Sequence, residues 1–172
     1  MSAPYMRMYV LAASLMLAAA PAAHAFQNEP TGFRGISWGT PLSSVPGMTP
    51  VASDGSAGFY QRDGDAMMIG AAHLKDINYR FYRRQFAGVL LRTPESSADE
   101  DAIIAAFSAQ FGQGNRPNQF MKQYLWNGSV ATVFLDCNVI THACTGAMLS
   151  NELKKLEDAD KAAVARKGAK DF

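Results

Sequence analysis

The chain has 172 residues, in which 16 lysines and arginines nearly balance 15 aspartates and glutamates. This length is that of one domain. The charge balance excludes the strongly basic surface that is typical of nucleic-acid-binding domains, so no nucleic acid is expected as a partner. No cofactor-binding motif occurs in the sequence, and no cofactor is expected.

The first 25 residues have the pattern of a cleavable signal peptide. A short polar stretch that carries Arg7 precedes an apolar run over residues 10–20, which a proline ends. Residues 23–25 (Ala-His-Ala) form the small-x-small pattern that a signal peptidase recognises. The run is shorter than the roughly 20 residues that cross a bilayer, and a retained membrane anchor is the alternative. The sequence predicts a signal peptide over 1–25, a single domain over 26–172 in the periplasm or outside the cell, and no membrane span after cleavage.

The first half of this domain has the pattern of a short helix followed by strands. Thr40 and Pro41 suit the first positions of the helix, and residues 49–57 are predicted to be a loop. Four short strands follow, over 58–62, 66–69, 77–82 and 86–92. Turn residues at 63–64 (Asp-Gly) join the first two strands, and residues 83–85 join the last two, which predicts two hairpins.

The second half begins with a well-defined helix over residues 98–111. Ser97 and Glu100 form a capping box before it, and Gly112 suits its end. Its apolar side chains recur at helical spacing at Ile103, Ile104, Phe107 and Phe111.

Three further strands are predicted, over 120–126, 129–135 and 146–149. The Asn-Gly pair at 127–128 is a strong hairpin signal between the first two. Ser150 then caps a C-terminal helix over 151–167.

Strands joined by hairpins form an antiparallel sheet, which helices cover. The sequence therefore predicts an α+β fold, an antiparallel sheet built from hairpins with two to three helices on one face. A helical start followed by a hairpin turn occurs twice, ending at 60–64 and at 124–128, which suggests a tandem duplication of one unit.

The predicted domain contains two cysteines, Cys137 and Cys144, which close a short segment. In an oxidising compartment such a pair is expected to form a disulfide. Together with His142 the cysteines offer three soft-metal ligands, but their spacing matches no zinc motif. A metal site and a pair of free thiols are the alternatives, and no metal is expected.

Three features resemble catalytic groups. Residues 35–39 match the G-x-S-x-G nucleophile elbow around Ser37, but that motif needs a preceding strand, which this short N-terminal segment does not predict. His73 and His142 each suit a general base, although a structural role is the simpler interpretation. Residues 99–101 (Asp-Glu-Asp) are interpreted as solvated carboxylates at the positive end of a helix dipole. No catalytic residue is therefore assigned, and a binding protein is expected before an enzyme.

One segment combines cations with aromatic residues. The strand over 77–82 presents Arg80 and Tyr82 on one face, and Arg83 and Arg84 follow in the turn. Such a face binds an anionic or sugar-like ligand, or a protein partner rich in carboxylates. These four residues are the predicted ligand-binding or partner-binding site, and a solvated cationic hairpin is the alternative.

The motifs over 33–41 (Phe-Arg-Gly-Ile-Ser-Trp-Gly-Thr-Pro), 77–82 and 107–112 resemble a loose group of small secreted bacterial proteins of unknown function. The helix–Gly–hairpin unit is also similar in outline to the SmpA/OmlA outer-membrane assembly lipoproteins and to the secreted β-lactamase inhibitory protein. The resemblance implies helices packed on an antiparallel sheet that binds a protein partner. The lipid-anchoring cysteine of the SmpA/OmlA proteins has no counterpart in this chain.

The sequence thus predicts a non-enzymatic periplasmic or secreted binding protein that recognises a protein or a cell-envelope component. A small secreted hydrolase, or an inhibitor-like modulator of one, is the first alternative. The second alternative is a structural envelope protein that oligomerises through an edge strand.

Overall fold

Runs of aromatic and β-branched residues form the strands of this protein, and the computed structural model describes residues 26–169. The elements are β1 (Gly32–Phe33), β2 (Ile36–Ser37), a 3₁₀ turn (Leu42–Ser44), β3 (Met48–Asp54), β4 (Ala57–Arg62), β5 (Met68–Ile69), β6 (Ala72–His73), β7 (Asp76–Tyr82), β8 (Gln85–Arg92), α1 (Ser97–Phe111), β9 (Lys122–Asn127), β10 (Ala131–Cys137), β11 (Cys144–Ser150) and α2 (Asn151–Gly168). Seven strands form one antiparallel sheet in the order β3-β4-β7-β8-β11-β10-β9. The predicted α+β class with an antiparallel sheet is confirmed.

The predicted signal peptide, residues 1–25, lies outside the described residues, and so do residues 170–172 at the end of the predicted domain. Among the helices of residues 26–169, none has the length and apolar character needed to cross a membrane.

The two faces of the sheet bury different clusters because successive side chains of a strand alternate in direction. Along β7, Ile77, Tyr79 and Phe81 point to the face that α1 covers, which we call the α1 face. This face holds the main core, which includes Phe86, Val89, Leu91, Ile103, Phe107, Phe111, Trp126, Val133 and Leu135. Arg80 and Tyr82 point to the opposite face, which we call the α2 face.

The helix α2 packs on the α2 face through a smaller cluster of Ala57, Tyr82, Ala87 and Leu153. The two α-helices therefore lie on opposite sides of the sheet, which corrects the prediction that the helices cover one face. The apolar side of a helix shows that this side is buried, but not against which face. The uninterrupted apolar run over 86–91 is typical of a strand that is covered on both faces.

The first predicted hairpin is wrong, since β4 pairs with β3 and β7 and not with residues 66–69. The true turn joins Asp54 to Ala57 across residues 55–56. β3 contains Pro50 and is exposed over nearly its whole length, so it lacks the alternation of a half-buried strand. This is why the sequence predicts a loop where the structure has an edge strand.

The two later hairpins are confirmed, since β7 pairs with β8 and β9 pairs with β10. The helix predicted over 98–111 is confirmed as α1, but its N-cap is Ser96, whose hydroxyl accepts a hydrogen bond from the Asp99 amide at 3.2 Å. The shift of one residue removes Glu100 from the predicted capping box. Its side chain is instead almost completely buried, at 1% exposure.

Candidate functional site

Three of the four predicted binding residues meet α2 on the α2 face. The Arg80 guanidinium donates to both oxygens of the Glu157 carboxylate, at 2.7 and 2.6 Å. The Tyr82 hydroxyl and the Arg83 guanidinium both donate to the Asp160 carboxylate, the guanidinium at 2.7 Å. The basic–aromatic face that is predicted to bind carboxylates therefore contacts carboxylates of the C-terminal helix of the same chain.

The Arg80–Glu157 pair is well buried, with side chains 14% and 7% exposed. Burial raises the pKa of Glu157, but hydrogen bonds from Arg80 and Lys161 outweigh this effect and hold the pKa below its usual range. The hydrogen bond from Tyr82 lowers the pKa of Asp160 and raises the pKa of Tyr82 itself. Both carboxylates are therefore ionised at neutral pH and attach α2 to the sheet.

Arg83 and Arg84 form the turn between β7 and β8 in a conformation that arginine rarely adopts. Their φ angles are +47° and +63°, in the left-handed region where a two-residue hairpin turn prefers Asn-Gly. Residues held there carry strain, and such strain is concentrated at functional sites. Arg84 is exposed, and no ion pair joins it to another residue between 26 and 169.

Replacing the turn by Asn-Gly (R83N/R84G) is expected to raise the free energy of unfolding by about 1 kcal/mol, because it relieves this strain. The lost Arg83–Asp160 pair is exposed and contributes little. Urea unfolding followed by circular dichroism measures the change, and R84K, which keeps the strained backbone, is the control. A lower stability of R83N/R84G would show that the two arginines are unstrained where they are.

Beyond α2, the α2 face of the sheet is open and apolar. Three hollows of about 290, 480 and 220 Å³ lie along it. The first two share Phe59 and Leu90, and the first and third share Phe134. We call this surface the open trough and define it by five half-buried residues, Phe59, Leu90, Leu125, Phe134 and Leu149.

The rim of the open trough is polar and of mixed charge. Arg80, Lys154 and Lys161 line the first hollow together with two carboxylates of α2. Arg92 lines the second hollow, where its Nε donates to both oxygens of Asp76 at 3.0 Å. An apolar floor with a polar rim is the arrangement of a binding surface. The serine in its lining, Ser150, is the buried N-cap of α2, and its hydroxyl accepts from the Leu153 amide at 3.4 Å.

The two histidines of the described domain are hydrogen-bonded to the first turn of α1. His73 Nδ1 lies 2.9 Å from Asp99 Oδ1, and His142 Nδ1 lies 2.7 Å from Glu100 Oε2. Asp99 and Glu100 are 8% and 1% exposed, which corrects their interpretation as solvated carboxylates. Each histidine thus makes a structural hydrogen bond to α1, which the positions of the histidines in the sequence did not indicate.

Glu100 is the buried centre of a polar cluster beside the disulfide. Lys122 Nζ lies 2.8 Å from Glu100 Oε1, and His142 contacts the other carboxylate oxygen, Oε2. Cys137 and Cys144 face each other on β10 and β11, and the predicted disulfide between them is confirmed. A Glu100 oxygen and both sulfur atoms lie within 4.8 Å of one another, but sulfurs bonded to each other are not thiolate ligands for a metal.

Ser37 lacks the surroundings of a nucleophile elbow. It is exposed on β2, which pairs with β1 in a two-stranded antiparallel hairpin. The motif requires a central strand that leads directly into a helix. Among residues 26–169, no hydrogen bond joins the Ser37 hydroxyl to an imidazole.

Both edges of the main sheet are protected against the addition of another strand. β3 has no amide hydrogen at Pro50 and bulges between Pro50 and Ala52. At the other edge, Asn115 exchanges two backbone hydrogen bonds with Leu125 of β9, at 2.9 and 2.8 Å. The structural alternative needs an edge strand that can pair with another copy. The main sheet, as described, offers no long free edge for such pairing.

No protein-family model matches the chain, and no curated protein or solved structure that was compared with it matches either. The resemblance to small secreted families therefore rests on the residue pattern, and function has to be argued from the surfaces of the molecule.

Proposed function

We propose that this protein is a non-enzymatic binding protein that holds a protein or a cell-envelope component in the open trough. The observation that carries the proposal is the row of adjoining hollows beside α2, where Phe59, Leu90 and Phe134 stay half exposed on the strands of a well-packed sheet. Covering apolar surface is favourable by roughly 25 cal/mol per Å². A contiguous surface of this kind is typical of an interaction site.

The chemistry of the open trough describes the partner. Its floor suits a strip of apolar side chains. At one end, three cations line the first hollow with two carboxylates of α2, and this net charge of +1 favours carboxylates or carbonyl oxygens. We propose a protein segment that combines the two, an apolar strip with acidic residues at one end. The strained, exposed Arg84 supports a second cationic contact at the β7–β8 turn. The predicted signal peptide supports a partner in the periplasm or outside the cell.

The proposal also includes a tandem duplication of one unit and the family resemblance. The hairpin turn expected at 60–64 is absent, since β4 pairs with β3 and β7. The support that remains for a repeated unit is the strand order, because each half of the main sheet begins at an edge strand, β3 or β9, and runs inward. The SmpA/OmlA lipoproteins and the β-lactamase inhibitory protein, which the chain resembles in outline, bind protein partners with such units.

Site-specific photo-cross-linking tests the proposal. A photoreactive phenylalanine analogue is placed at Leu90 in the open trough, and the matched control carries it at Ala105, which is exposed on α1. We expect a discrete cross-linked product in cell-envelope extract from the Leu90 probe and not from the Ala105 probe. The additional change Arg84→Glu should reduce its yield, since it reverses the charge at the turn.

Equal products from both probes, or none from either, would contradict binding in the open trough. Mass spectrometry of the product also separates the alternatives. A secreted hydrolase as the captured partner would favour an inhibitor-like modulator. A second copy of the chain would favour the structural role.

A further inference from the structure

An exposed apolar cluster lies at one end of the sheet, where β9 begins and β10 ends. Its four side chains are Phe120, Met121, Val139 and Ile140, which are 82%, 42%, 56% and 83% exposed. The pairing of Lys122 with Cys137 places the two loops that carry these side chains next to each other. We call the four side chains the apolar tip. Residues 120–121, which the sequence predicts to be strand, lie before β9 and form part of this tip.

Hydrogen bonds hold the apolar tip in place. The Asn118 side-chain oxygen accepts from the Phe120 amide at 2.9 Å, and the Asn138 side-chain oxygen accepts from the Ile140 amide at 2.9 Å. The disulfide closes the second loop at its base. Loops that are already ordered lose little backbone conformational entropy when their side chains bind.

Arg116 supports the first loop and places a cation beside the tip. Its guanidinium donates to the carbonyls of Gln119 and Met121 at 3.0 and 2.9 Å. It also lies over the Tyr124 ring, 5.5 Å from the centroid. Arginine and tyrosine next to apolar side chains are the composition of a membrane–water interface.

Two other charged groups adjoin the tip. Lys122 is paired with buried Glu100, so its charge is balanced. Asp136 lines a hollow of about 450 Å³ between the two loops, together with Phe120, Met121 and Val139. The tip therefore has no strong net charge, and apolar contact must supply most of its affinity.

The size of the tip favours a lipid surface as its occupant. A stable protein interface buries about 800 Å² on each partner and involves about 20 residues or more, which four side chains on two loops do not provide. A bilayer, in contrast, accepts each inserted apolar side chain independently. We propose that the apolar tip inserts into the interfacial region of a lipid bilayer, with Arg116 next to the phosphate headgroups.

Vesicle flotation tests this proposal. The protein is used in the form recovered from the expressing cell, and its N-terminus is determined by mass, so that every variant carries the same N-terminal segment. The probes are phosphatidylcholine vesicles with a minor fraction of phosphatidylglycerol. We expect the double variant F120S/I140S to reduce the partition coefficient about ten-fold or more, since it removes the two most exposed apolar side chains. V164S removes an apolar side chain that is 73% exposed on α2 and should leave the partition coefficient unchanged.

A second measurement reports insertion directly and does not depend on the double variant. Phe120→Trp should gain tryptophan fluorescence that shifts to shorter wavelength with vesicles and is quenched by brominated acyl chains. Vesicle binding that F120S/I140S and V164S reduce equally would overturn the proposal, as would an absence of quenching. Concentration-dependent self-association without vesicles, if F120S/I140S abolishes it, would also overturn it and assign the tip to a contact between copies.

Discussion

The variant Arg80→Met is expected to lose about 3 kcal/mol of unfolding free energy, because it leaves a buried carboxylate without its main partner. Glu157 is 7% exposed, and of its charged contacts within residues 26–169 it then retains only the one to Lys161 at 2.8 Å. Methionine keeps most of the apolar volume of the arginine stem, so the loss reports the charge rather than a cavity. Urea unfolding followed by circular dichroism gives the value.

The matched control for Arg80→Met is Lys154→Met. It breaks the exposed Lys154–Asp158 pair on α2, the helix that carries Glu157. Exposed pairs of this type contribute little, so its stability should stay close to that of the unaltered protein. The double variant R80M/E157M should recover much of the loss, because it removes both buried charges together. If R80M were no more destabilised than K154M, the contact of α2 with the sheet would not depend on this pair.

The variant Glu100→Gln is expected to lose about 3 kcal/mol at neutral pH, because it replaces an ionised acceptor between Lys122 and His142 by a neutral amide. Gln has nearly the same size, so packing against the disulfide is kept. Asp101→Asn is the control, since Asp101 is the next residue of α1 and is exposed. Equal stability of the two variants would show that the buried cluster does not stabilise the fold.

The pH dependence of the Glu100→Gln effect has a definite sign. Burial raises the pKa of Glu100, but the ion pair with Lys122 and the hydrogen bond with His142 outweigh this effect and hold the pKa below its usual range. A lowered folded-state pKa stabilises the protein above the unfolded-state pKa of about 4.3, and this contribution is lost as the pH falls through the folded-state pKa. The stability difference between the unaltered protein and E100Q should therefore shrink in acid. A difference that grows as the pH falls below the unfolded-state pKa of the carboxylate would contradict the ionised cluster.

The binding residues show how far sequence reasoning reached. The cationic–aromatic group could be predicted, because the alternation of side-chain direction along one strand needs no tertiary information. Its members are Arg80, Tyr82 and Arg83. Their partners were not predictable, since Glu157 and Asp160 lie 77 residues or more along the chain and belong to a helix with many other charged residues. The open trough was also missed. Its residues come from five different strands, and α2 leaves them half exposed, which no single segment indicates.

The sequence by itself determined the features that depend on near neighbours. These are α1 and α2, the hairpins β7–β8 and β9–β10, the disulfide and the antiparallel α+β class, because capping, turn residues and side-chain periodicity act over a few positions. Only the tertiary structure decided that β3 is an edge strand, that the helices take opposite faces, and that Glu100 is buried. These outcomes depend on which surfaces pack against each other across the sheet. No local sequence pattern determines the free energy of that packing.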